Sequence, residues 1–174
     1  MSSSPATIGT YNFANGTTYN IRVWTTNPNG FADQQIMNDT LYFTVCTALN
    51  GVYDIAGASP DYPTINAAIA AMSCGGILGP VTLNLAQGAG PFTEQVIIPQ
   101  IIGSSAANVV RINGGVNREV VQYGATTTNE RSVFKLNGAD YFILDSMRII
   151  NTGTTYGYGV QLTNSADNNI VRNC

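Results

Sequence analysis

Histidine is absent from the 174 residues. A His-dependent nucleophile or a His/Cys metal site is therefore excluded within this chain. What remains is carboxylate and guanidinium chemistry. Asp145 and Arg148 lie three positions apart, on what would be one rung of a coil, and Arg172 falls on the next, 24 positions after Arg148. If the chain winds with such a period, the two arginines stack beside the carboxylate. That group could hold a calcium ion and an acidic sugar, with an arginine as proton acceptor in an eliminative cleavage. The plainer reading makes the three residues an outward polar ladder, in which each cross-strand pair contributes about 0.2–1 kcal/mol.

Two further groups invite a binding role. Asp33, Asn38 and Asp39 lie in the loop "NPNGFADQQIMNDT" and offer oxygen ligands for calcium; Asx turns account for the same residues. Tyr141, Tyr156 and Tyr158 fall near late turns, where aromatic rings either stack on a sugar or cover a strand face. Calcium is the one cofactor that these residues suggest.

The positioning elements are mostly strands. Residues 1–46 read as a β-meander: Tyr11–Phe13, an Asn15–Gly16 turn, Tyr19–Trp24 and Leu41–Val45. Trp24 is expected in its core. Residues 47–60 shift to Gly, Pro, Ala and Ser and read as a linker with one short strand over 52–55. In "DYPTINAAIAAM", Ile65, Ala68, Ile69 and Met72 recur at i, i+3, i+4 and i+7, the stripe of a helix with one buried face. Pro63 suits its entry and Gly75–Gly76 a left-handed exit.

Short apolar segments then recur to the end of the chain. Leu83, Ile112, Leu136 and Leu162 are spaced by 29, 24 and 26 positions; Val96, Val121, Ile143 and Ile170 by 25, 22 and 27. An Asn follows a strand in "RINGG", "KLNGA" and "QLTNSA". An irregular period in the twenties with recurrent turn asparagines is what stacked rungs of a parallel β-solenoid require. The first rung of such a coil would leave its apolar interior and strand edge open to water. A short amphipathic helix laid across that opening closes it, so the helix is expected to be a lid.

Composition narrows the partners. Only 10 % of residues are charged, with net charge −3, against about 25 % in an average soluble domain. One Lys and six Arg supply no basic patch for nucleic acid, and no apolar run reaches the roughly 18 residues that would cross a bilayer. Three cysteines, Cys46, Cys74 and Cys174, allow at most one disulfide, with the pairing open.

"DYPTINAAIAAM" followed by "GPVTLNLAQGAGPFTEQVIIP" resembles the start of right-handed parallel β-helix proteins of the pectate-lyase and pectin-methylesterase type. Thr64, Ile65, Ala68 and Ile69 fill the cap-helix pattern, and Gly90, Phe92, Glu94, Val96 and Ile98 the first-rung pattern. The resemblance implies a right-handed β-helix over 61–174, with Glu94 in a structural first-rung position. It carries over no catalytic residue, because the aspartates and arginine of that family lie in later motifs. Separately, "YNIRVWTTNPNGFADQQIMNDTLYFTV" resembles the last strands of immunoglobulin-like, adhesion-type modules of large exported bacterial proteins. Both ends read as cut from a longer chain. The expected fold is thus all-β: a partial immunoglobulin-like meander over 1–46, then a capped solenoid.

The expected role is a non-catalytic structural or adhesion module, secreted or at the cell surface, facing polysaccharide or surface glycan. Two alternatives stand beside it. One is the N-terminal part of a carbohydrate-active lyase or esterase whose catalytic rungs lie further on. The other is a subunit of an extracellular fibre, assembled by strand addition at the N-terminal segment.

Overall fold

The computed structural model describes residues 9–24, 40–128, 130–154 and 157–174. An antiparallel hairpin, β1 (Thr18–Trp24) with β2 (Thr40–Cys46), leads into β3 (Leu49–Ile55). The helix α1 (Ile65–Gly75) follows, then β4 (Ile77–Leu85), β5 (Phe92–Thr93), β6 (Val96–Pro99), β7 (Val110–Asn113), β8 (Val120–Tyr123) and β9 (Ser132–Asn137). The last elements are β10 (Phe142–Asp145), β11 (Arg148–Asn151), β12 (Tyr158–Thr163) and β13 (Ile170–Arg172).

From β3 onward every strand pairing is parallel. The first sheet runs β13-β10-β7-β4-β3, the second β11-β8-β5 and the third β12-β9-β6. The chain visits the three sheets in rotation, which makes a parallel β-solenoid of about four turns. Alternation drives it. In β4, Ile77, Gly79, Val81, Leu83 and Leu85 face inward while the residues between them face out. Leu83 lies in register with Ile112, and Ile112 with Leu144, all fully buried.

The two apolar columns expected from spacing are each spread over more than one sheet. Leu83 stacks on Ile112 in the first sheet, but Leu136 stacks between Ile98 and Leu162 in the third. Val96, Val121 and Ile143 fall on the third, second and first sheets. The physical reason is that each turn carries three inward columns, and turn length is uneven. Asn84 bonds Asn113 29 positions on, and Asn137 bonds Asn164 at 27; across the 124–131 segment, Gln95 bonds Ser132 at 37. The turn asparagines therefore form two short ladders at two corners, the first of them at 3.0 Å.

α1 packs Ile65, Ala68, Ile69 and Met72 into the same core as β3, β4 and β6. Full burial of an Ile or Met side chain contributes roughly 1.5–3 kcal/mol. The unpaired N–H groups of the first turn all find acceptors. Thr64 Oγ1 accepts from the Ala67 amide at 3.0 Å. The Glu94 carboxylate accepts from the amides of Ile65 and Asn66 at 3.0 and 2.9 Å. Glu94 thus places a negative charge on the positive end of the helix from a strand-flanking position 29 residues away. Gly76 ends the helix at φ 72°, and a Cβ there would lie 2.8 Å from the Ile102 carbonyl oxygen.

The linker region contributes more than expected. β3 spans 49–55 and is the edge strand of the first sheet. Its outer side is partly blocked by its own return loop: Asp61 accepts from the Asp54 amide at 2.7 Å, and Ala56 donates to the Tyr62 carbonyl at 2.9 Å. Cys46 and Cys74 form a disulfide with Cα atoms 5.7 Å apart, tying the end of β2 to the last turn of α1, and Cys174 is the free thiol. The Tyr62 hydroxyl adds a bond to the Gly16 carbonyl at 3.1 Å. Burial, with Tyr53 and Asp61 beside it, pushes this phenol up to about 12.

On one face of the hairpin Tyr19, Ile21 and Val23 oppose Val45, Phe43 and Leu41. Tyr11 and Phe13, expected as a strand, instead pack edge-to-face with Tyr19. Trp24 is on the other face, exposed, with the Arg22 guanidinium 5.3 Å from its ring centre; alternation from Tyr19 puts it there, and among the described residues the core expected for it is not formed. Among the described residues no helix is long and apolar enough to cross a membrane.

Replacing Glu94 with Gln removes the charge from the α1 N-terminus while keeping its length. We expect a loss of about 1–2 kcal/mol, read as a lower denaturation midpoint. The same change at half-buried Glu130, whose carboxylate accepts from the Tyr123 hydroxyl at 3.1 Å rather than from a helix amide, serves as the reference.

Candidate functional site

Asp145 is the last residue of β10 and Arg172 the last of β13, and the two are in register. Arg172 clasps one carboxylate oxygen, Oδ2, with Nε at 2.9 Å and Nη2 at 2.8 Å. Arg111, two residues before the end of β7, reaches the same oxygen at 2.8 Å. The other oxygen, Oδ1, accepts from Asn173 Nδ2 at 3.0 Å and Ser146 Oγ at 2.9 Å. Five donors from three successive turns thus converge on one carboxylate, whose side chain is 2 % exposed; those of Arg111 and Arg172 are 35 % and 50 % exposed.

Burial by itself would raise the Asp145 pKa. The bonds from Asn173, Arg172 and Ser146, together with the charge of Arg111, outweigh it and hold the carboxyl well below the usual carboxylate range. A carboxylate so stabilised is a poor proton acceptor, and guanidinium groups do not release protons in ordinary protein settings. The cluster carries one negative and two positive charges and binds three turns together.

Among the expected site residues, the structure joins Asp145 to Arg172 and separates Arg148 from both. Arg148 begins β11 on the second sheet, opposite Val120, and is exposed; its amide donates to the Glu119 carbonyl at 3.0 Å. The spacing of 24 does not correspond to a turn here, whereas Asp145 and Arg172 are 27 apart. Arg111 was missed. The signal for it is the alignment of "VRIN", "FILD" and the final "IVR" as one column, which places the polar residues on a common side.

The tyrosines are not brought together either. Tyr141 lies in a turn at φ 63°, its amide donating to the Asp167 carbonyl at 3.3 Å. Tyr158 starts β12 at the far end of the third sheet, half-exposed, its amide donating to the Arg131 carbonyl at 2.8 Å. A six-residue strand, roughly 20 Å long, separates these corners. Tyr156, Asp33, Asn38 and Asp39 lie outside the described residues.

A second buried carboxylate, Glu119, accepts from the amides of Gly88 and Gly90 at 2.8 and 3.2 Å. It fastens the turn between β4 and β5. No protein family, curated protein or solved structure matches this chain.

Asp145→Asn leaves two guanidinium groups facing a neutral amide. Because those guanidinium groups are 35 % and 50 % exposed, water screens the charge left behind and the cost falls below that of a fully buried pair, at about 1–3 kcal/mol, measured by urea denaturation near neutral pH. The sign of the pH dependence follows. With its folded pKa depressed, Asp145 contributes stability fully above the unfolded value of about 3.9, and that contribution is lost as pH falls towards the folded value. The variant should therefore show a shallower acid limb than the parent between about pH 4 and 2.

Proposed function

We propose that this chain is a non-catalytic structural or adhesion module of a large secreted or cell-surface bacterial protein. On this reading the solenoid is right-handed, α1 is the lid over its first turn, and the hairpin is the remnant of an immunoglobulin-like module. The observation that carries it is the use of the buried acids. Among the described residues, the buried carboxylates are Asp145 and Glu119, and both are engaged by donors that hold turns together. A general acid or base needs a free oxygen facing a substrate, and in these two buried acids both oxygens are taken by hydrogen-bond donors.

Three further features support the reading. The Cys46–Cys74 disulfide suits an oxidising compartment. The position of α1 between β3 and β4 in the chain, with its apolar stripe buried against β3, β4 and β6, suits a lid. The hairpin's apolar face, with Leu41 and Phe43 exposed, suits a piece of a sandwich.

Incubation with a panel of plant and algal polysaccharides, with and without calcium, should release no new reducing or unsaturated ends. Turnover of any of them would remove the non-catalytic reading.

A further inference from the structure

At the corner where the first sheet ends, Asp54 of β3, Asn84 of β4 and Asn113 of β7 lie side by side in register. They form the floor of a cleft of about 450 Å³, with 56–59 on one side and Gly115 and Val116 on the other. Adjacent strands place these outward side chains about 4.8 Å apart.

The hydrogen bonding of the cleft is nearly complete, and the exceptions are informative. Asn113 donates from Nδ2 to Asn84 Oδ1 at 3.0 Å and accepts from the Gly115 amide at 3.2 Å. Gln87 donates to the Leu85 and Gly114 carbonyls and accepts from the Asn117 amide. Three side-chain groups remain without a partner among the described residues: the Ser59 hydroxyl at the side, and, next to each other on the floor, the Asp54 carboxylate and Asn84 Nδ2. Because Asn84 Oδ1 is committed to the β7 side, its N–H arm is left for the β3 side, where Asp54 stands.

We infer that this cleft binds a neutral saccharide through a vicinal pair of hydroxyls, one donating to Asp54 and the other accepting from Asn84. The pairing selects the ligand class. An ammonium group can only donate and leaves Asn84 unserved; a carboxylate can only accept, and both it and a phosphate are repelled by the charge of Asp54. A diol does both. The fixed amides of Asn113 and Gln87 hold the floor in shape before any ligand arrives, and Val116, 94 % exposed, offers an apolar rim for the C–H face of a ring. The volume lies within the range of small-ligand clefts, about 300–1,000 Å³.

This assignment deepens the adhesion reading, and the two fail separately. Polysaccharide turnover would remove the non-catalytic claim and leave the cleft's ligand standing; a silent cleft removes this inference alone. The test is ¹⁵N–¹H spectroscopy of the full chain titrated with mannotriose, cellotriose and galactotriose. At least one should shift the amides of Gly57 and Gly115 and the side-chain amide of Asn84 saturably, with a Kd on the order of millimolar. Asp54→Ala should weaken binding about tenfold or more, as should Asn84→Asp, which keeps the acceptor for Asn113 and deletes the donor. Both are outward positions, and unchanged thermal unfolding verifies the fold. The inference is overturned if no trisaccharide shifts these amides, if the shifts persist unweakened in both variants, or if n-butylammonium or inorganic phosphate shifts them when no sugar does.

Discussion

Stacking in register is the constraint on which the rest of the molecule depends. A strand that returns to the same side of a coil must set its inward side chains on those of the previous turn, and Leu83, Ile112 and Leu144 do so without exposure to water. The pairing satisfies backbone donors and acceptors along each sheet, while the interior gains apolar burial from three directions at once. Outward positions inherit the same register. That is why Asp54, Asn84, Asn113, Asp145 and Arg172 form one polar row on neighbouring strands, although nothing in their local sequences connects them.

Along this row the chemistry changes with position. Near β13 the charges meet directly, and Asp145 is consumed by its neighbours. In the middle, asparagine amides bond one another, a neutral ladder that each turn can extend. At the β3 end the row finishes on an acid that has no counterion among the described residues, next to an amide whose donor has no partner among them. The same architectural rule therefore gives a cross-turn pin at one place and a polar cleft at another. The N-terminal hairpin is joined to this scaffold covalently, through Cys46 and Cys74, as well as by Tyr62 and Gly16.

How much of this was legible beforehand depended on the range of the signal. The helix was plain because its stripe of Ile65, Ala68, Ile69 and Met72 is local, and so were most strands from β4 onward, since alternation is local too. A parallel coil could be inferred because turn asparagines recur. Three of the expected neighbours do stack, Leu83 with Ile112, Leu136 with Leu162 and Ile143 with Ile170; the columns break elsewhere because three inward rows share one turn, and a spacing near two dozen joins residues of different sheets as readily as residues of one. The longer segment before β9 displaced the count further. Arg148 was grouped with Arg172 on that spacing, while Arg111, which touches the same carboxylate as Arg172, carried no local mark. The role of Glu94 at the helix N-terminus joins two elements that sequence alone sets far apart.

The most direct test of the stacking is a set of nuclear Overhauser contacts between selectively methyl-labelled side chains. The structure predicts strong methyl–methyl contacts for Leu83 with Ile112, Ile112 with Leu144 and Ile98 with Leu136, together with the amide-to-Hα pattern of parallel strands between β7 and β10. Close Hα–Hα contacts of an antiparallel pairing in these strands, or silence between Ile98 and Leu136, would contradict it.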